Sequence, residues 1–237
     1  MPIEIGLLAF PGVQQLDLTG PYEVFASLPD VSVHIVAESL APIASATGLV
    51  LTPTMRRDAC PQFDVLCIPG GVGVNALMRD EGTLAFVRAQ AASARYVTSV
   101  CTGALVLAAA GLLKGRRATT HWASLDLLAA FGAIPVAERV VRDGPFVSGG
   151  GVTAGIDFAL TLAAELLGQP AAEAAQLALE YAPAPPFASG TPAGAPPAVL
   201  AAARSRLAAG RAAREAIVMA LTGSSLPRAD WSGATKV

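Results

Sequence analysis

The sequence predicts an α/β domain built on a mainly parallel sheet with helices over both faces. Short apolar, β-branched runs alternate with segments of helical spacing, and many of the runs stop at Gly or Pro. Several of the runs are continuously apolar rather than alternating, as strands buried on both sides must be. Of the 237 residues, 53% are hydrophobic and 14% charged, enough apolar surface to cover both faces of one sheet.

The elements follow in order. IEIGLLAF (3–10) is a buried strand ended by Pro11-Gly12, and LDLTGPYEVFASL (16–28) a helix with Pro21 in its first turn. SVHIVAES (32–39) is the next strand, and IASATGLVLTPT (43–54) a hairpin turning at Thr47-Gly48. DVLCIPGG (64–71) is a strand stopped by Pro-Gly-Gly, with a helix over 80–94 after it. YVTSV (96–100) is a strand and TGALVLAAAGLL (102–113) a helix. RATT (117–120) reads as a short strand before a helix near 123–131. VVRDGPFVSG (140–149) is a hairpin around Asp143-Gly144, and residues 151–168 form a long helix ended by glycine.

From 182 the pattern changes. APAPPFASGTPAGAPP (182–197) is a Pro/Gly-rich linker that cannot build a core, 198–222 is an alanine-rich helix with scattered arginines, and 223–237 reads as a disordered tail. The expected organisation is a catalytic domain over 1–181, linker and helix over 182–222, then the tail.

A net charge of −2 offers no field for nucleic acid or anionic membrane. The apolar stretch 104–113 is too short to cross a bilayer, and MPIEIGLLAF reads as a strand rather than a signal peptide. Three cysteines without a CxxC suit a reducing, cytoplasmic compartment. No His/Cys/Asp cluster at ligand spacing suggests a metal.

Cys101 stands between the strand YVTSV and an apolar helix. A helix N-terminus presents free N–H groups and partial positive charge, so the position is expected to favour thiolate over thiol. Cys60, before a proline, and Cys67, within a strand, read as packing. A thiolate nucleophile needs a proton partner. His34 is mid-strand and structural; His121 follows a strand end and could approach Cys101. Asp17, just past the first strand on the carboxyl edge of the same sheet, reads either as a helix N-cap or as an acid/base. GGVGVNA (70–76) and GGGVTAG (149–155) fit a nucleotide fingerprint poorly, since no acidic residue stands where a ribose needs it. They suit close approach of backbone to a small ligand, and the N–H groups of Gly71 and Thr102 could form an anion pocket beside the sulfur.

PGG after a strand, followed by the strand–Cys-x-Gly–helix elbow VCTG, resembles the DJ-1/PfpI superfamily over about 1–180. FPGVQQLDLTGP, YVTSVCTGALVLAAAGLLKGRRATTHW, RVVRDG, GGGVTAGIDFALTLAAELLG and LEYAPAPPF are together similar to its isocyanide hydratase branch. The resemblance implies a flavodoxin-like sandwich, a homodimer and an enzyme without cofactor or metal that takes a small isocyanide and water. It implies Cys101 as nucleophile through a bound thioimidate and Asp17 as acid/base, where most of the superfamily has glutamate. Thr102 stands where protease-like members carry histidine, against peptidase activity. Gly71, Thr102, His121, Val152 and Thr153 are expected around the substrate. The other chemistries considered are cofactor-free conversion of a 2-oxoaldehyde and a redox sensor or chaperone using an oxidisable Cys101.

Overall fold

A computed structural model describes residues 2–224. The segment from 225 onward, most of the expected disordered tail, lies outside the described residues. Eleven strands are described: β1 (Ile3–Leu8), β2 (Val31–Ala37), β3 (Ile43–Ala44), β4 (Val50–Leu51), β5 (Met55–Arg56), β6 (Val65–Ile68), β7 (Tyr96–Val100), β8 (Arg117–Ala118), β9 (Ile134–Pro135), β10 (Val140–Asp143) and β11 (Phe146–Gly149). Seven form one sheet in the order β10-β11-β7-β6-β1-β2-β5, parallel throughout except for the β10–β11 hairpin. β3 pairs with β4, and β8 with β9, outside it. The α/β expectation therefore holds, including both predicted hairpins. β6 and β7 are buried at every residue, which is why they read as unbroken apolar runs.

The helices are α1 (Gln15–Ala26), α2 (Val74–Leu77), α3 (Glu81–Ala91), α4 (Gly103–Ala109), α5 (Leu127–Ala130), α6 (Ala154–Leu167), α7 (Gln169–Ala178) and α8 (Pro197–Thr222). α1 packs on α6, with Phe25 edge-on to Phe158 at 6.2 Å, and α6 packs on α7. α4 touches α2, α3 and α5, and α5 touches α8. Two helical layers thus enclose the sheet. Because β7, β6 and β1 are consecutive neighbours, the loops after their carboxyl ends meet at one place.

Some boundaries differ from expectation. The helix expected near 123–131 is a 3-10 turn, Trp122–Ser124, followed by α5. At the break, the Ala123 carbonyl accepts from Arg211 Nη1 at 2.8 Å. RATT contributes only two strand residues, outside the main sheet. The sequence does not foretell α7, which Gly168 sets off from α6 with φ of 87°.

α8 packs on the domain itself. Arg211, 3% exposed, makes a bidentate ion pair with Asp126 (2.5 and 2.6 Å) and a second with Glu215 (2.7 Å), and Val218 is fully buried. Arg211→Ala leaves Asp126 and the Ala123 carbonyl without their donor. A stability loss of roughly 3 kcal/mol is expected in denaturant titration, and wild-type stability would show that α8 is not anchored there.

Candidate active site

Cys101 sits between β7 and α4 with φ of 53°, a left-handed conformation that costs a non-glycine residue about 1–2 kcal/mol. The surroundings hold it there. Its N–H donates to the Gly149 carbonyl (3.0 Å) and its carbonyl accepts from Thr120 Oγ1 (2.6 Å). Gly103 completes the elbow: a Cβ there would stand 2.0 Å from the Ile68 carbonyl oxygen, so α4 can begin against β6 only without a side chain. The sulfur is therefore presented at the carboxyl edge of the sheet, on a residue only 6% exposed.

Asp17 reaches the same spot from α1. It does not cap that helix; the cap position is Gln14, and Asp17 lies inside the first turn. The N-cap reading is thereby overturned. Its Oδ2 accepts the Gly70 N–H at 2.9 Å, Oδ1 is buried without a hydrogen-bond partner, and the Cys101 thiol is close enough to act on the carboxyl. Gly70 permits this approach, since a Cβ there would lie 2.7 Å from Asp17 Oδ2 and 2.6 Å from the Thr102 nitrogen. Burial raises the Asp17 carboxyl from 3.8 to about 7, against the opposing pull of the Gly70 N–H and the thiol.

The thiol behaves otherwise than its place before a helix suggests. Burial, and then the Asp17 charge beside it, push Cys101 well above its ordinary value, and the Thr102 N–H and the Arg214 charge offset this only in part. α4 has seven residues, so its N-terminal field is short-ranged, while desolvation and the carboxylate act at contact. Cys101 therefore rests as a thiol, beside a carboxyl that changes charge near neutral pH.

The expected anion pocket also changes. Gly71 N–H donates to Thr102 Oγ1 at 3.0 Å, so it fixes the elbow and is not free for a ligand. The Thr102 N–H is a backbone donor to the sulfur. His121 Nδ1 accepts the Ala123 N–H (3.2 Å) and its ring lies 5.5 Å from that of Trp122. Burial, reinforced by Arg214, lowers it to about 4, so it is neutral near pH 7. It borders Gly151, where a Cβ would lie 3.8 Å from its Cδ2. Val152 packs against the core, whereas Thr153 is exposed and its hydroxyl accepts from Arg139 at 3.3 Å. His34 pairs with Glu4 (2.6 Å), as suits a structural residue. Burial holds Cys67 up at about 12; Cys60 donates to the Arg57 carbonyl at 3.1 Å, and burial raises its thiol as well.

Three contributors are not legible in the sequence: Gly70 as donor to Asp17, Thr120 beneath the Cys101 carbonyl, and Arg214 on α8. Among the described residues, no group of three or more His, Cys, Asp or Glu side chains could hold a metal ion. A separate crevice of about 290 Å³ past β1 and β2 includes Arg57, Asp80 and Thr83 but neither Cys101 nor Asp17. Its Arg57 is already paired, with Thr83 and with Asp80. No described helix is long and apolar enough to cross a membrane.

Residues 4–165 match the DJ-1/PfpI family. The chain is 65% identical over 208 residues to an isonitrile hydratase of Pseudomonas putida, covering 88% of this chain and 91% of that protein. It superposes on the crystal structure of a ThiJ/PfpI family protein from Pseudomonas syringae with a TM-score of 0.89 at 46% identity, covering 92% and 91% of the two chains. A cysteine-to-alanine mutant of a DJ-1 superfamily protein from Salmonella typhimurium aligns at 29% identity and a TM-score of 0.69, over 77% of this chain and all of that one.

Proposed function

The chain belongs to the DJ-1/PfpI family, and from that premise we propose that it is an enzyme that hydrates isocyanides to N-substituted formamides. The observation that carries the reading is the buried Asp17 carboxyl, raised to about 7, set against the thiol of a strained Cys101. The relative that is 65% identical and named an isonitrile hydratase supports the substrate class.

In R–N≡C the terminal carbon is electrophilic toward a soft nucleophile. Asp17 takes the Cys101 proton as sulfur bonds to that carbon, and returns it to the same carbon, leaving the thioimidate R–N=CH–S on Cys101. Water, losing a proton to Asp17, then adds to this carbon. Asp17 gives that proton to nitrogen, the C–S bond breaks as the hydroxyl becomes the carbonyl, and the hydroxyl proton passes through Asp17 to the departing sulfur. The sum is one isocyanide and one water giving R–NH–CHO, with no redox change and no cofactor. A carboxyl near 7 suits both directions of proton transfer better than one near 4. In this reading the Thr102 N–H stands beside the sulfur, and the neutral His121 and Val152 would line the substrate side of the site.

Protonation of Asp17 removes the base, so activity must fall on the acid side. For a simple aryl isocyanide, kcat/KM is expected to rise as pH passes through about 7 and then level off. A profile flat from about pH 5.5 to 8.5 would contradict Asp17 as the base.

Conversion of 2-oxoaldehydes and redox sensing are the competing chemistries at the same thiol. A sensor has no need of a buried carboxylate that opposes thiolate formation, which disfavours that reading. Parallel incubation with an aryl isocyanide and with methylglyoxal separates the two enzymatic readings by product. The exposed Leu16, Leu40, Leu49, Val50 and Val72 suit a second copy of the chain as partner. Light scattering at micromolar concentration should give a dimer mass, and a monomer mass would remove that part. Three free cysteines suit a reducing cytoplasm.

A further inference from the structure

We infer that Arg214, carried by the C-terminal helix α8, is a positioning residue for the reaction: its guanidinium is held beside the elbow to receive the negative charge when the Cys101 proton passes to Asp17. The inference uses the proton transfer proposed above.

Arg214 Nη1 donates to Ser124 Oγ at 3.0 Å. Ser124 ends the turn that follows Thr120, whose hydroxyl holds the Cys101 carbonyl at 2.6 Å. One short stretch, 120–124, therefore ties the arginine and the cysteine to each other. The Arg214 Nε is buried with no partner. Among the described residues no carboxylate forms an ion pair with Arg214; the acids at this end of α8, Asp126 and Glu215, pair with Arg211 instead. A half-buried guanidinium without a counter-charge is costly, and burial does pull its proton affinity down. The group that attracts it is Cys101, and only as thiolate.

The charges acting on the sulfur are thus Asp17 from α1 and Arg214 from α8; the neutral His121 of the intervening turn also feels Arg214. Above about pH 7, before the proton moves, the negative charge is on Asp17. When the proton moves, the charge moves to sulfur, toward the guanidinium that lacks a partner. The pair is a fixed dipole aimed at where charge develops, in a site from which water is largely excluded. A helix outside the family-matched region, residues 4–165, would thereby contribute to the chemistry of the core.

The test is the pH profile of Cys101 alkylation by iodoacetamide, read by peptide mass mapping in wild type, Arg214→Gln, Arg214→Lys and Ser124→Ala. This readout needs no isocyanide, so it fails or succeeds apart from the substrate assignment. Arg214→Gln should shift the profile up by about one pH unit and lower kcat with little change in KM. Arg214→Lys, which keeps the charge, should recover most of the shift, and Ser124→Ala, which frees the guanidinium, should move it a smaller amount the same way. A wild-type profile in Arg214→Gln overturns the inference. So does a lysine variant as impaired as the glutamine variant, which marks a packing role. If Arg214→Gln does not fold, an unshifted profile in Ser124→Ala overturns it.

Discussion

Replacing Cys101 by alanine or serine is expected to abolish isocyanide turnover while the protein stays folded. Alanine has no nucleophile, and serine would need an alkoxide in a site that already resists forming a thiolate. The elbow should survive both changes. It is held by backbone and neighbouring bonds, from the Cys101 N–H to Gly149 and from Thr120 to the Cys101 carbonyl, which neither variant removes. Circular dichroism and gel filtration should therefore match wild type. Cys60→Ala and Cys67→Ala should keep activity, the latter at about 1 kcal/mol of stability for the small void left in β6. Near wild-type turnover in either Cys101 variant, or total loss in a folded Cys60 or Cys67 variant, means that another thiol does the work.

Asp17→Asn separates function from stability. The asparagine carbonyl can still accept the Gly70 N–H, so the local geometry has no reason to change. It cannot move a proton, and turnover should fall about 10²–10⁴-fold. The stability effect has the opposite sign. Lifting the carboxyl from 3.8 in the unfolded chain to about 7 in the fold means that the native state binds the proton more tightly. That contribution is complete below about pH 4 and is lost as pH rises through about 7, leaving the native state burdened with a buried anion. At about 1.4 kcal/mol per pH unit the burden is roughly 4 kcal/mol above pH 7. The asparagine variant should accordingly melt higher than wild type at pH 8 and about equally at pH 4. Full activity with unchanged melting at both pH values would reduce Asp17 to a structural residue.

The strands and the elbow are legible because each depends on local pattern. β6 and β7 are buried on both faces, and the Cys-x-Gly spacing follows from backbone contact between Gly103 and Ile68. The pairing of Cys101 with Asp17 can be suspected, because both lie past strand ends on one edge of the sheet. Whether Asp17 caps a helix or serves the thiol cannot be read, since an acid in a first turn suits both. The thiol's proton affinity escapes the sequence for a related reason. A helix N-terminus shows in the sequence, whereas the desolvation that outweighs it depends on everything packed around the sulfur. The glycine run suggests a free N–H at Gly71, which Thr102 Oγ1 takes up in the fold. Arg211 and Arg214 sit three apart in an alanine-rich helix, and nothing in that spacing tells which meets Asp126 and which meets the turn before the cysteine pocket.

The account turns on a covalent bond between Cys101 and the isocyanide carbon. Wild-type protein should be mixed with an aryl isocyanide, quenched in acid within a single turnover, and analysed as intact protein and as peptides. One adduct of the whole substrate mass is expected, on the peptide that carries Cys101, decaying as formamide forms, and with ¹⁸O entering the formamide when the reaction is run in labelled water. Formamide produced at full rate with no adduct on Cys101, or with the adduct on Cys60 or Cys67, would contradict it.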